Sequence, residues 1–265
     1  MRRRQFLSSA AAASALALTG QAQAQSTASG SKREYYQLRT YTLYSGVQNG
    51  LTEHYIADAL IPALNRRGMT PVGAFSLAYG PETPTMYVII PSTSVEELAL
   101  LDLHLGADEE FLKAADPFWN APAAAPAFQR VEYHLLAAFE GWPKITPSPA
   151  AAEKGKRIYQ LRTYESPSHK DHVRKVEMFH HGEFAIFARS GCGSVFYGDT
   201  LAGSRMPSLT YMLTFPDLAA MDKGWAAFNS DPEWKKLSSD PRFSSERIVS
   251  NVSNLVLTPL SCSQV

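Results

Sequence analysis

Four histidines lie close together in the second half of the chain, at positions 169, 172, 180 and 181. His181 stands four residues after Glu177, so a helix would place this carboxylate and imidazole on one face. Such a pair can orient a general base or an axial haem ligand. His180, His181 and Glu177 are therefore the candidate catalytic residues, and haem is the candidate cofactor. The alternative is that these side chains are partly exposed residues of an ordinary helix.

A metal site is not predicted from the same histidines. His169 and His172 could share an ion, but only two ligands are in view, and a structural zinc needs four. His172 and His180 would lie about 12 Å apart along a helix, too far to share one ion. The sequence also holds no phosphate loop, no C-x-x-C pair and no G-x-S-x-G nucleophile motif.

A second candidate chemistry comes from a hexapeptide that occurs twice. Tyr36–Tyr41 reads Tyr-Gln-Leu-Arg-Thr-Tyr, and residues 159–164 repeat it unchanged. The short run of Tyr, Leu and Thr predicts a strand. Since side chains alternate along a strand, its Arg and its second Tyr share one face. The arginines could hold an anionic ligand with the tyrosine hydroxyls as donors, and the candidate ligand-binding residues are Arg39, Tyr41, Arg162 and Tyr164.

A structural role for these arginines is the alternative interpretation. A charged side chain in a central strand must be paired or must reach solvent. Arg39 could pair with Glu132 on the last strand of its domain, which is predicted to lie beside the first. The presence of the arginine in both copies of the hexapeptide favours this common structural role.

The hexapeptides are 123 residues apart (159 − 36), and the offset continues through the chain. Arg66 falls on Arg189, and Asp108 falls on Asp231. Tyr87 matches Tyr211 best at an offset of 124, which predicts a short insertion and a compensating deletion in loops. A repeat of this length indicates two copies of one domain. The predicted boundaries are 35–141 and 157–260, joined by a Pro-, Ala- and Lys-rich linker over 142–156.

Each copy has the predicted order strand, helix, strand, strand, helix, strand. Pro62 is expected to kink or shorten the first helix, and residues 113–127, rich in Ala and Pro, are expected to form a loop. This order is the ferredoxin-like βαββαβ plan. Two such units can bury their open sheet faces against each other. The predicted fold class is α+β, with two tandem ferredoxin-like units forming an intrachain dimeric α/β barrel. Exposed edge strands would favour a homo-oligomer.

The duplicated strand motif and the glycines that end the following helices, Gly68 and Gly191, resemble the NIPSNAP family of the dimeric α/β-barrel proteins. The resemblance covers about residues 35–140 and 157–260. It implies the barrel fold. It implies no single activity, because that larger group includes monooxygenases, isomerases, haem enzymes and proteins of no known reaction.

The first 24 residues are typical of an export signal. Three arginines at positions 2 to 4 are followed by Phe6 and Leu7, an Ala-rich apolar run and the small-residue site Ala22-Gln23-Ala24. The pattern predicts cleavage after Ala24, twin-arginine export and a bacterial periplasmic or secreted protein. A general secretory signal is the alternative. No further segment is apolar enough to span a membrane, and the rest of the chain is slightly acidic, so nucleic acid is not an expected partner.

The leading hypothesis is thus an exported, NIPSNAP-like protein that binds a small molecule or a partner. The alternative is an α/β-barrel enzyme, either a cofactor-independent monooxygenase, an isomerase or a haem enzyme, acting on a small apolar substrate. The enzyme needs an enclosed pocket into which His180, His181 or an Arg–Tyr pair points. A disulfide between Cys192 and Cys262 is conceivable in an oxidising compartment, although the strand order separates the two cysteines.

Overall fold

Eight antiparallel strands close into one barrel in the computed structural model, which describes residues 33–265. The strands are β1 (Tyr35–Thr42), β2 (Gly73–Tyr79), β3 (Thr85–Ser92), β4 (Arg130–Ala138), β5 (Ile158–Glu165), β6 (Gly193–Ala202), β7 (Ser208–Phe215) and β8 (Asn251–Pro259). Around the barrel they follow the order β1-β3-β2-β8-β5-β7-β6-β4. Each half supplies four neighbouring strands, and the halves join where β2 pairs with β8 and β4 with β6. The predicted fold class is confirmed.

The helices lie in the same order in both halves. The first half carries α1 (Val47–His54), α2 (Ile61–Arg66), α3 (Val95–Ala99), α4 (Leu101–Leu105) and α5 (Glu109–Trp119). The connection contains α6 (Pro149–Ala152), and the second half carries α7 (His169–Met178), α8 (Phe184–Arg189), α9 (Leu218–Ser230), α10 (Pro232–Ser238) and α11 (Ser245–Ile248). Two π-helical turns join consecutive helices, π1 (Tyr55–Leu60) between α1 and α2 and π2 (Phe179–Glu183) between α7 and α8.

Pro62 interrupts the first helix as expected. It lies in the first turn of α2, directly after π1. Proline has no N–H to donate, and the first turn of a helix is where this loss is tolerated. In π2 the corresponding irregularity falls on Gly182, whose φ of 153° is rarely open to other residues. The second half thus has the same wide turn at the same place, reached through a different residue.

Apolar side chains form a core inside the barrel and a separate core under the helices of each half. Tyr36 and Leu38 of β1 point into the barrel, where Tyr159 and Leu161 of β5 meet them. Tyr41 points the other way, into the helix layer. The strict alternation of a strand sends the odd and even residues of the hexapeptide to opposite faces. The two arginines therefore lie between sheet and helices, outside the barrel interior.

The strand register corrects the predicted match of Tyr87 with Tyr211. Arg39 lies opposite Val88, and Arg162 lies opposite Tyr211. Val88 and Tyr211 are 123 residues apart, so the offset does not change across this hairpin. Tyr87 points into the barrel while Tyr211 lies in the helix-side core, and the resemblance of the two tyrosines is accidental.

Residues 113–127 do not form the expected loop throughout. Helix α5 runs to Trp119 and carries Pro117 in its last turn. Phe111, Ala115 and Phe118 are buried at helical spacing, so tertiary packing outweighs the local signals of Ala and Pro.

The predicted linker is packed against the barrel. Ile145 is buried in the barrel interior, and its N–H donates to Glu34 Oε2 at 2.9 Å. The proposed domain boundaries around this segment stay a prediction. Because the four terminal strands of the two sheets pair with each other, they are not the open edges from which a homo-oligomer was expected, and the oligomeric state also stays a prediction.

Cys192 and Cys262 are both free. Cys192 belongs to the helix-side core of the second half, whereas Cys262 packs against that of the first. Within residues 33–265, no helix is both long and apolar enough to cross a membrane. The predicted signal over residues 1–24 lies outside the described part of the chain.

Candidate functional site

Strand β5 carries the polar residues of the candidate site on its helix-facing side. Gln160, Arg162 and Tyr164 alternate along it, with β7 and β8 as neighbours. Gln160 is held at both ends of its amide: Trp225 Nε1 donates to its Oε1 at 2.7 Å, and its Nε2 donates to Asn254 Oδ1 at 2.8 Å. These bonds connect β5 to α9 and β8 and define the positions of the groups around Arg162.

Arg162 has donors that the protein does not use. Its Nη2 donates to the Tyr164 hydroxyl at 3.0 Å, while its Nε is buried without a partner. The guanidinium carbon lies 4.5 Å from the centre of the Trp225 ring. Among the described residues, no carboxylate lies within ion-pair distance of Arg162. A guanidinium stacked on an indole keeps its N–H edge free, and that edge matches a carboxylate.

The equivalent Arg39 is neutralised inside the protein. Its Nη2 donates to Asp102 Oδ1 at 2.8 Å, its Nε donates to Gln37 Oε1 at 2.6 Å, and its side chain is 1% exposed. Tyr133 covers the guanidinium at 4.6 Å from the ring centre and donates to Asp102 Oδ2 at 2.7 Å. Arg39 is thus paired inside the protein, as the structural interpretation expects of a charged side chain in a central strand.

The partner suggested for Arg39 was wrong. Glu132 lies opposite Thr40 in the register and shares the face of that residue, so it cannot meet a side chain that points the other way. Glu132 accepts instead from Arg130 Nε at 3.3 Å.

Trp225 takes the place of Asp102 in the second half, 123 residues on. Asn254, opposite Arg162 on β8, takes the place of Tyr133, opposite Arg39 on β4. The acid that neutralises the first arginine is therefore absent from the described surroundings of Arg162, and the ring that covers the guanidinium comes from α9 and not from a neighbouring strand. The repeat preserves the arginine and changes its neighbours.

A buried ion pair adds two further charges beside Arg162. Lys175 Nζ donates to Glu183 Oε1 at 2.7 Å, and the two side chains are only 2% and 3% exposed. Burial raises the pKa of the Glu183 carboxyl, and the ammonium of Lys175 limits that rise. Glu183 Oε2 has no hydrogen-bond partner. The first half has Thr52 and Leu60 at the corresponding positions, so this pair is particular to the second half.

These groups line a cavity of about 500 Å³ between the sheet and α7, π2, α9 and α10. Its aromatic walls are Phe187, Trp225, Phe228 and Trp234. Its polar residues are Gln160, Arg162, Tyr164, Lys175, Glu183, Asn254 and, on α9, the exposed Asp222 and Asn229. The Tyr164 and Tyr211 hydroxyls are 2.8 Å apart, and burial raises the pKa of Tyr211 well above its ordinary value. Tyr211 therefore stays protonated in its contact with Tyr164, which lines the cavity.

The candidate catalytic residues do not reach this cavity. His180 and His181 are both exposed. His180 Nε2 accepts from the Gly141 N–H at 3.1 Å, and His181 Nδ1 contacts the backbone oxygen of Glu177 at 2.8 Å, not its carboxylate. The expected carboxylate–imidazole pair is absent because π2 widens the helix at these positions. Neither imidazole is therefore placed in this cavity as a haem ligand or a general base.

His172 pairs with an aspartate and not with His169, the residue with which it could have shared an ion. Its Nε2 lies 2.7 Å from Asp199 Oδ1 on β6, while His169 is exposed at the start of α7. Within residues 33–265, no group of three or more His, Cys, Asp or Glu side chains is arranged to hold a metal ion.

The structure places the candidate ligand-binding residues of the two halves in different cavities. Arg162 and Tyr164 line the cavity described above, whereas Arg39 and Tyr41 line a smaller one of about 350 Å³ that also contains Asp102. Sequence reasoning missed Lys175, Glu183, Trp225 and Asn254. The first three are positions where the 123-residue repeat changes chemical type, and that difference is the signal by which they could have been found.

The architecture defines a closed α/β barrel built from two ferredoxin-like halves. Residues 159–264, nearly all of the second half, match the model of the NIPSNAP family. No curated protein matches the chain.

A solved structure shares this fold, and others align with part of the chain. A proposed monooxygenase from Lactobacillus acidophilus aligns with 86% of this chain and 95% of its own, at 9% identity and a TM-score of 0.55. A NIPSNAP-like domain protein from Burkholderia xenovorans aligns with 40% of this chain and 86% of its own, at 18% identity and a TM-score of 0.36. A NIPSNAP family protein from Agrobacterium tumefaciens aligns with 40% and 94%, at 19% identity and a TM-score of 0.35. The first of these similarities establishes the barrel and carries no activity with it.

Proposed function

We propose that the protein binds a small anionic ligand with a flat apolar body in the cavity of its second half. The observation that supports this most directly is Arg162, which keeps the arginine of the repeat without the acid that neutralises Arg39. A partly buried guanidinium that has no carboxylate at ion-pair distance among the described residues is matched by a ligand carboxylate, which accepts two parallel N–H bonds.

The walls of the cavity favour an aromatic body. Trp225, Phe228 and Trp234 stand on the helix side, and aromatic rings in edge or offset contact stabilise each other beyond the area that they bury. The size of about 500 Å³ is that of ordinary small-molecule sites. The ligand class is therefore an aryl carboxylate. Haem is not part of this proposal, because His180 and His181 are exposed.

Calorimetric titration with phenylacetate tests the proposal, with uncharged 2-phenylethanol as the matched control ligand. Arg162→Met should weaken phenylacetate binding by roughly 10- to 100-fold, as expected for loss of a hydrogen bond to a charged group. Arg39→Met removes the other arginine of the repeat and should leave the affinity unchanged. Equal affinity for the two ligands, or an unaffected Arg162→Met variant, would show that the cavity is not an anion site.

We further propose that the first 24 residues direct twin-arginine export and are then removed, which places the binding protein in the periplasm or outside the cell. Expression with the native leader should yield a product whose mass begins at Gln25. Replacing Arg3 and Arg4 together by Lys should retain the uncleaved chain in the cytoplasm. Unchanged export of that variant would favour the general secretory route instead.

A further inference from the structure

Glu183 lines the cavity, and its Oε2 is a buried hydrogen-bond acceptor with no donor among the described residues. The carboxylate is 3% exposed, lines the cavity, and uses only Oε1 for its bond to Lys175. A buried acceptor without a donor loses the hydration that it has in water and gains nothing in return. Such a group in a binding cavity marks the place where a ligand supplies the missing donor.

We infer that the ligand is a hydroxylated aryl carboxylate, whose carboxylate meets Arg162 and whose hydroxyl donates to Glu183 Oε2. This inference rests on the proposed function, since it concerns the same cavity and the same arginine. It adds a second polar contact, and with it the feature that distinguishes the ligand from other aryl carboxylates.

The charges around the cavity favour a neutral hydroxyl over an ammonium as the donor. Arg162 and Lys175 carry two positive charges and Glu183 one negative charge, so these buried and half-buried groups leave one positive charge. The carboxylate of Asp222 also lines the cavity, but it is exposed to solvent. A ligand with one carboxylate and a neutral hydroxyl balances this positive charge. A zwitterion would leave it in place and would bring a second ammonium next to Lys175 Nζ, which is already 2.7 Å from the same carboxylate.

Two features of the fold support a dedicated site. The Lys175–Glu183 pair lies at the helix-side end of the cavity, on α7 and at the end of π2, while Arg162 lies on the sheet. A ligand between them would therefore contact both layers. The first half, in which the arginine is neutralised, has an uncharged pair, Thr52 and Leu60, at the corresponding positions. The arginine without a carboxylate at ion-pair distance and the buried Glu183 carboxylate thus occur together in the second half. In the first half the arginine is paired with Asp102, and the position of Glu183 is taken by Leu60.

The pKa of Glu183 agrees with this role. Burial raises the pKa of the carboxyl and makes it a stronger acceptor when ionised, while Lys175 favours its ionised form. A site built to accept from a ligand hydroxyl rejects the analogue without that hydroxyl, because the buried acceptor is then left unpaired.

The test compares phenylacetate with its 2-, 3- and 4-hydroxy derivatives by calorimetric titration of the purified protein. At least one hydroxy isomer should bind roughly 10- to 100-fold more tightly than phenylacetate. The control variant is the double replacement Lys175→Thr with Glu183→Leu, which installs the first-half pair and leaves no buried charge. It should lose the preference for the hydroxy isomer, judged against phenylacetate measured in the same variant.

The outcomes separate the two proposals. Equal affinity for phenylacetate and all three hydroxy isomers would overturn the role of Glu183 while leaving the anion site intact. A preference that persists in the double variant would overturn it as well. If none of the four aryl carboxylates binds, the proposed function itself fails.

Discussion

The guanidinium carbon of Arg162 lies 4.5 Å from the centre of the Trp225 ring. In the first half the same place beside Arg39 is taken by Asp102, at 2.8 Å from Nη2. The exchange of residue type between these positions, 123 apart, therefore accompanies the difference between an arginine that is paired with a carboxylate and an arginine that has none at ion-pair distance among the described residues.

Giving Arg162 the carboxylate partner that Arg39 has should weaken ligand binding. Trp225→Asp supplies Arg162 with the carboxylate that Arg39 has, so phenylacetate affinity should fall by roughly 10- to 100-fold because the site is already neutralised. The matched control is Trp225→Phe, which keeps an aromatic wall and adds no charge. Calorimetric titration measures both variants, and a Trp225→Asp variant with unchanged affinity would contradict the charge argument.

Breaking the buried pair from one side should destabilise the protein strongly. Lys175→Thr leaves the Glu183 carboxylate buried without its counter-ion, at an expected loss of about 3–5 kcal/mol in the free energy of unfolding. Adding Glu183→Leu should restore most of that loss, since the first half packs Thr and Leu at these positions. Urea unfolding at pH 7 measures the three proteins, and a double variant as unstable as the single one would show that the ion pair is not the cause.

The Lys175→Thr variant also provides a test of pH dependence. Burial holds the pKa of Glu183 above its ordinary value, so the folded state binds the proton more tightly than the unfolded state does. The unpaired carboxylate therefore destabilises the folded protein increasingly as pH rises from the unfolded-state pKa of about 4.3 towards the folded-state pKa. Lys175→Thr should be destabilised less at about pH 4 than at pH 8. An equal loss at both values would mean that packing, not charge, accounts for it.

A repeated arginine–aspartate contact should make the fold sensitive to acid. Asp108 caps α5 and accepts from Arg66 at 2.9 Å, and Asp231 caps α10 and accepts from Arg189 at 2.7 Å. The Phe111 N–H and Arg66 lower the pKa of Asp108, while Arg189 and the α10 N–H groups lower that of Asp231. A lowered folded pKa gives stability that is present above the unfolded value of about 3.9 and is lost as pH falls below it.

Asp231→Asn keeps an oxygen for the cap and removes the charge, so its melting temperature should be lower than that of the unmodified protein at pH 7. The difference should shrink at about pH 3, where the unfolded aspartate is protonated. The exposed Asp58→Asn is the control and should melt as the unmodified protein does. Thermal unfolding followed by circular dichroism measures the series, and a difference that is the same at both pH values would exclude the charge as its source.

Several features of the fold could be predicted because their causes are local. Asp217 and Asp231 open α9 and α10 as capping residues, and such caps can be found in a sequence because a cap acts within a few residues of itself. The extent of α5 could not be predicted, because Phe111 and Phe118 hold it together through contacts with residues remote in the chain. The register that separates Tyr87 from Tyr211 could not be predicted either, because a shift of one residue moves a side chain to the opposite face of its strand.

The sequence alone determined that the chain is a duplication, that the repeated strand carries an arginine on one face, and that the plan of each half is ferredoxin-like. These properties follow from an exact repeat and from the two-residue period of a strand. Only the tertiary structure decided which arginine has a carboxylate partner. Asp102 and Trp225 come from helices far along the chain, and their contacts with Arg39 and Arg162 exist only once the sheet and its covering helices have packed together.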